Sequence, residues 1–184
     1  MANLGFQTAY HLINGIESAV CERVFLPDKG DIDEFRRTST ELFSYESQTP
    51  LREFDIVAFS LPFEDDYVNI ARVLGLANIP VFSAERNLKP LVIAGGVAVS
   101  LNPEPLADII DAFIAGEGEG SLPEFIERYR ALKDGPKDEL LSGLDELPWT
   151  YIPSFYEYSY DGHAIKEVKR KAGAKEKVTG KKAF

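Results

Sequence analysis

Two glycine-rich turns hold the residues of this 184-residue chain best suited to chemistry. Gly95-Gly96 follows the apolar run Leu91-Val92-Ile93-Ala94, and Gly116-Glu117-Gly118-Glu119-Gly120 follows Asp111-Ala112-Phe113-Ile114-Ala115. Glycine lacks the Cβ that holds a ligand away from the backbone. Gly95 and Gly96 can therefore admit a bulky planar or phosphate-bearing group, or simply close a tight strand-to-helix turn. The second turn departs from the GxGxxG spacing of dinucleotide sites and puts carboxylates where a phosphate would sit. Glu117 and Glu119 can hydrogen-bond a nucleotide tail, or they can stabilise the positive end of a helix that begins near Leu122. Ser60-Leu61-Pro62 forms a third loop of the same kind, with Ser60 able to donate to a ligand or to do ordinary turn chemistry.

Other reactive residue types are sparse. Glu64-Asp65-Asp66 is read as N-terminal helix charge before it is read as a cation site, because adjacent carboxylates on one loop seldom converge on a metal. Cys21 is read as a small apolar residue and His11 as a packed or surface histidine. One cysteine and two histidines exclude an intrachain disulfide, a Cys/His zinc site and a Cys-ligated iron–sulfur cluster within this chain. Tyr151, Phe155, Tyr156, Tyr158 and Tyr160 alternate along strands. They can form a stacking platform for single-stranded RNA, and packing against a neighbouring domain is preferred.

The elements that must position these residues alternate between strand and helix. Asp55–Ser60, Leu91–Ala94 and Asp111–Ala115 are continuous apolar runs of the kind buried on both faces of a parallel sheet. Helices are expected over residues 1–16, from about Asp66 to Ala77, from Leu122 to about Lys133, and over 137–147. Another is expected after Asn102 as N-cap, with Leu106, Ile109 and Ile110 at helical spacing. A short helix is expected with Asp31 as N-cap and Glu34 closing a capping box. Cys21–Leu26 reads as a strand closed by Pro27. The fold class is therefore α/β, with a doubly wound, mostly parallel sheet whose glycine turns share the carboxyl rim where such sheets place ligands. The chain opens on what reads as the loop after a strand. Either the fold dispenses with a first strand, or that strand lies upstream of Met1. An uncovered sheet edge would invite homodimerisation.

Texture changes after residue 147. Residues 148–170 alternate in β fashion around the hairpin signal Asp161-Gly162, and 171–184 reads as a loose basic tail or linker. The net charge of −10 divides into −16 for residues 1–161 and +6 for 162–184. An acidic body argues against nucleic acid as a partner of the main surface. No apolar run is long enough to span a bilayer and no signal-peptide pattern opens the chain, so a cytoplasmic location without membrane contact is expected.

Several blocks together resemble the N-terminal, cobalamin-binding-like (Rossmann-type) domain of a family of large bacterial radical SAM proteins. They are Met1–Gln7, Glu22–Pro27, Leu42–Ser47, Phe54–Ser60, Ala94-Gly95-Gly96, Asn102–Pro105, Asp111–Phe113, Gly116–Glu119 and Tyr151–Tyr156. The resemblance implies a flavodoxin-like or cobalamin-binding-type domain over 1–147 that covers the mouth of a radical SAM barrel supplied in cis or in trans. It implies that a corrinoid, if held, would face Ser60, Leu61, Gly95, Gly96, Asn102, Gly116, Glu117 and Gly118. The DxHxxG motif that ligates cobalt is missing. The [4Fe-4S] cluster and S-adenosylmethionine would belong to the barrel, and this chain alone would be inactive. A cofactor-free docking domain and a stand-alone nucleotide- or flavin-binding module are the alternatives.

Overall fold

The computed structural model describes residues 4–171 and 173–182. Within them the sheet order is β1-β2-β3-β4, formed by Ile56–Ser60, Leu91–Gly95, Ala112–Ile114 and Thr150–Tyr151. The first three strands are parallel and the fourth is antiparallel to β3. β2 is buried along nearly its whole length, as expected for a central strand covered on both faces. A separate antiparallel hairpin, β5 (Tyr156–Asp161) and β6 (Ala164–Arg170), turns at Gly162 with φ +62°.

Helices cover both faces. α3 (Tyr67–Leu76) buries Ile70, Val73 and Leu74 in a core with Val57, Val92 and Phe113. α5 (Gly118–Leu132) and α6 (Lys137–Asp145) bury Phe125, Leu140 and Leu144 on the other face, against Leu91, Ile93 and Ile114. α1 (Leu4–Asn14) packs against α5. At the amino ends of β2 and β3, Asp111 is almost wholly buried and accepts from Arg86, Ser83 and the Val92 amide, with Lys137 Nζ at 2.9 Å. Among the described residues no helix is long and apolar enough to cross a membrane.

Four expectations need correction. α2 (Lys29–Thr38) is capped by Asp28, whose Oδ1 accepts from the Asp31 amide; Glu34, expected to close a box on Asp31, pairs with Arg37 instead. The helix after the glycine pair starts at once, as α4 (Val97–Leu101). Asn102 Oδ1 accepts from the Glu104 amide at the start of a mere 3₁₀ turn over Glu104–Leu106, and a longer helix has no room because the Asp111 amide already donates to Val92 O in the sheet. Cys21–Leu26 forms no ladder. Asn14 clamps both backbone groups of Cys21, while the Arg23 amide donates to Glu46 and the Arg23 carbonyl accepts from the Tyr45 amide. A strand-like sequence is not a strand without a neighbour. The tail expected to be loose instead runs back over the body: Thr179 donates to Pro148 O, Lys181 bridges to Gly116, and the Lys181 ammonium lies 3.8 Å from the Trp149 ring centroid.

Candidate functional site

The register brings the three loops to one rim, for Ser60 pairs with Gly95 and Gly95 with Ile114, two residues before Gly116. Beside and below that rim lies a cavity of about 560 Å³. Ser60, Gly95, Gly96, Gly116, Glu117 and Gly118 line it. Leu61 and Asn102 do not. Leu61 is buried under Gly96, and Asn102 lies past α4, where its carbonyl accepts from Tyr67 Oη at 3.0 Å.

What fills the space beside each glycine is visible here. Gly96 has φ +115°, and a Cβ there would lie 2.6 Å from Leu61 O. Gly116 has φ +97°, and its Cβ would run into the backbone of Lys181. The Glu117 amide donates to Lys181 O at 2.7 Å, and Lys181 Nζ reaches Glu124 at 2.9 Å. The two glycines with positive φ thus serve close approach by the chain's own backbone, and Lys181 covers part of the rim. The space that a Cβ would take at Gly96 and Gly116 is thus filled by Leu61 and Lys181 and is not what lies open to a ligand. Gly95 is different, with ordinary contact to Ile114 at 3.4 Å.

The remaining candidates also find structural uses. Glu117 and Glu119 stand at the start of α5, where carboxylates oppose the helix dipole. Burial, then Glu46 and Glu22, push the Cys21 thiol up, so it is held as the protonated, weakly nucleophilic form. Among the described residues no group of three His, Cys, Asp or Glu side chains can hold a metal ion. Of the strand aromatics, Tyr151 and Tyr156 pack on this chain itself, whereas Tyr160 is 59% exposed. Tyr151 stacks on Phe113 and donates to Glu104 at 2.6 Å, and Tyr156 donates to Lys175 O at 2.7 Å. Burial, reinforced by the Glu104 hydrogen bond, holds the Tyr151 phenol far above its ordinary range.

Two features of the site were not anticipated from the sequence. The first turns of α1, Gly5, Phe6, Ala9 and Tyr10, form one wall of the cavity, and β1 with Ser18–Val24 forms others. The second is an apolar patch on the rim. Phe63 after β1, and Val97 and Leu101 one helical turn apart on α4, are 68%, 64% and 76% exposed. The Ala98 amide donates to Leu61 O, which holds the two loops side by side. The spacing signal was present, since Val97 and Leu101 stand at i, i+4 on one helical face, and among the described residues that face is left exposed.

Residues 5–153 match the family of radical SAM protein N-terminal regions. The chain is also similar to an uncharacterized protein of Methanocaldococcus jannaschii, 28% identical over 90 residues, which are 49% of this chain and 19% of that protein. The matched stretch is thus about a fifth of that relative's length. No solved structure matches the chain. With the family match running through α1, the whole parallel sheet and β4, this chain belongs to the N-terminal domains of radical SAM proteins.

Proposed function

We propose that this domain is a cofactor-free cover for a radical SAM barrel, docked through the carboxyl rim of its sheet. The observation that carries this reading is the exposed patch of Phe63, Val97 and Leu101 on the rim. Large apolar side chains clustered on a surface mark an interaction site more often than chance exposure does. The reaction, reductive cleavage of S-adenosylmethionine to a 5′-deoxyadenosyl radical, belongs to the barrel. A single cysteine cannot supply the three thiolates that hold the [4Fe-4S] cluster. The domain's part is to exclude water from the barrel mouth and to shape the space above the substrate.

The test is association with the barrel-bearing remainder of the parent protein, produced separately with its cluster reconstituted. Replacing Val97 and Leu101 together by aspartate should weaken binding at least tenfold and leave the fold intact, since both side chains are largely exposed. Unchanged affinity would overturn the docking surface. Mixing the chain with hydroxocobalamin and desalting should leave no corrin absorbance with the protein. Stoichiometric retention would restore the corrinoid in place of the cofactor-free reading.

A further inference from the structure

Taking the carboxyl rim as the docking surface proposed above, we infer that the barrel face it meets has an apolar centre ringed by lysine and arginine. Phe63, Val97 and Leu101 call for the apolar centre. The charge around them is one-sided. The three rim loops, residues 60–66, 95–105 and 115–120, hold six carboxylates (Glu64, Asp65, Asp66, Glu104, Glu117 and Glu119) and no lysine or arginine. The twelve Lys and Arg of residues 1–161 all lie elsewhere in the chain.

The other end of the same sheet is built differently. There Asp55 pairs with Lys89 and Lys133, and Asp111 with Arg86 and Lys137. At the rim, Glu64, Asp65, Asp66 and Glu119 enter no ion pair among the described residues, and Glu64, Asp65 and Glu119 are exposed. Helix capping does not account for them either. Asp66 and Glu117 stand at the N-caps of α3 and α5 without a side-chain hydrogen bond to the first amides. Glu104 accepts from Tyr151 Oη and stays part-buried. Like charges set side by side repel one another, so such a rim gains most from cations that a partner brings. Lys181 shows the preference within the chain. Its stem lies on Gly120, next in sequence to Glu119, and its ammonium reaches Glu124 and the Trp149 ring.

The two parts of the surface do different work. Apolar side chains at the centre of a contact govern how long it lasts, whereas charges at its margin govern how fast it forms and which partners are refused. The same carboxylates repel a phosphate backbone, so nucleic acid is not the occupant. They also hold off a protein face of their own sign.

The test measures association and dissociation rates with the separately produced barrel-bearing remainder of the parent protein, its cluster reconstituted. Raising the salt from about 0.1 M to about 1 M shortens the screening length from about 10 Å to about 3 Å. The association rate should fall about tenfold across that range, with the dissociation rate changed far less. Glu64→Lys, Asp65→Lys and Asp66→Lys together should lower the low-salt association rate about tenfold and flatten its salt dependence. A matched reversal of Asp134, Asp138 and Glu139, exposed acids near the Asp55 and Asp111 pairs, should do neither. Val97→Ser with Leu101→Ser should instead speed dissociation. Association that ignores both salt and the rim reversal, while the serine pair still speeds dissociation, would overturn the basic ring and leave the docking surface standing. A serine pair without effect would remove the docking surface, and the ring with it. Faster association of the reversed variant would reveal an acidic face and overturn the inference. So would unmixed chain that self-associates in light scattering and loses that on the same reversal, since the rim would then belong to the basic stretch of a second copy.

Discussion

The buried carboxylate of Asp111 is the interaction whose loss should be felt most. Both it and Arg86 have side chains only 1% exposed, with Arg86 Nη2 3.0 Å from Asp111 Oδ2 and Lys137 Nζ 2.9 Å from Oδ1. At those separations each attraction is roughly 5–6 kcal/mol for an effective dielectric constant of about 20. Desolvation of the ions offsets much of it, and removing one partner of a buried pair typically costs about 3–5 kcal/mol. Asp111→Asn keeps the shape but sets an amide NH₂ against Arg86, Lys137, Ser83 and the Val92 amide, all of them donors. The Arg86 guanidinium cannot escape to water, since it also donates to the carbonyls of Pro80, Val81 and Ile109. The expected loss of about 3–5 kcal/mol corresponds to a melting temperature lower by roughly 6–20 °C for a chain of this size. It also removes a large share of the roughly 5–15 kcal/mol that holds a domain together. Urea unfolding of the wild type, Asp111→Asn, and the double variant Arg86→Met with Asp111→Leu measures it. The double variant should recover part of the loss, because the buried guanidinium goes with its carboxylate, while Lys137, Ser83 and the Val92 amide still lose their acceptor. Asp111→Asn within about 1 kcal/mol of wild type, or a double variant worse than the single, would refute the reasoning.

The other expectations are quickly checked. Gly96→Ala puts a Cβ 2.6 Å from Leu61 O at φ +115°, and should cost at least about 1–3 kcal/mol in urea unfolding, whereas Gly95→Ala should cost less. Ending the chain at Lys171 should uncover Trp149, the only tryptophan, and shift its fluorescence to longer wavelength, because Lys181 and Thr179 pack over that segment. Burial, then the charges of Asp55 and Asp134, push the Tyr129 phenol up to about 12. Above pH 10 the unfolded chain therefore gives up this proton before the folded one does, and stability should fall as pH rises from about 10 to 12, with no contribution from this group below 10. Melting curves across that range should show the fall, and Tyr129→Phe should make it shallower without removing it, because burial pushes the Tyr151 and Tyr156 phenols up as well. Arg37→Ala, which breaks an exposed pair with Glu34, should change stability by less than about 0.5 kcal/mol.

How much of this was legible in the sequence depended on whether an element makes its own case. β2 and β3 are short and continuously apolar, and their burial on both faces follows from composition; β1 has the same composition, yet at the edge of the sheet it buries only Val57 and leaves Ala58 exposed, because the position of a strand in the sheet is not written in its own residues. α5 carries Leu122, Phe125, Ile126 and Tyr129 on one stripe, and Asp161-Gly162 marks its hairpin without help. Cys21–Leu26 has the composition of a strand, yet pairing is a property of two segments, and on its β1 side the structure has open space. The docking of the tail was illegible for a related reason. Residues 173–182 bring few apolar side chains, but Lys181 lays its stem against Gly120 and its ammonium over Trp149, contacts between residues 61 and 32 positions apart.

The glycine turns separate two questions that a sequence merges. Gly96 and Gly116 announce that a Cβ is not tolerated, and the structure agrees at both, by φ and by distance. The sequence is silent on what stands in the freed space, and here it is Leu61 in one case and Lys181 in the other. Their strain therefore serves the packing of loops that carry the rim, and the side chains those loops leave exposed are the apolar Phe63, Val97 and Leu101. A glycine motif of this kind marks the carboxyl rim of a parallel sheet whatever fills the space that the missing Cβ leaves. The choice between ligand and partner has to be made on the side chains around it.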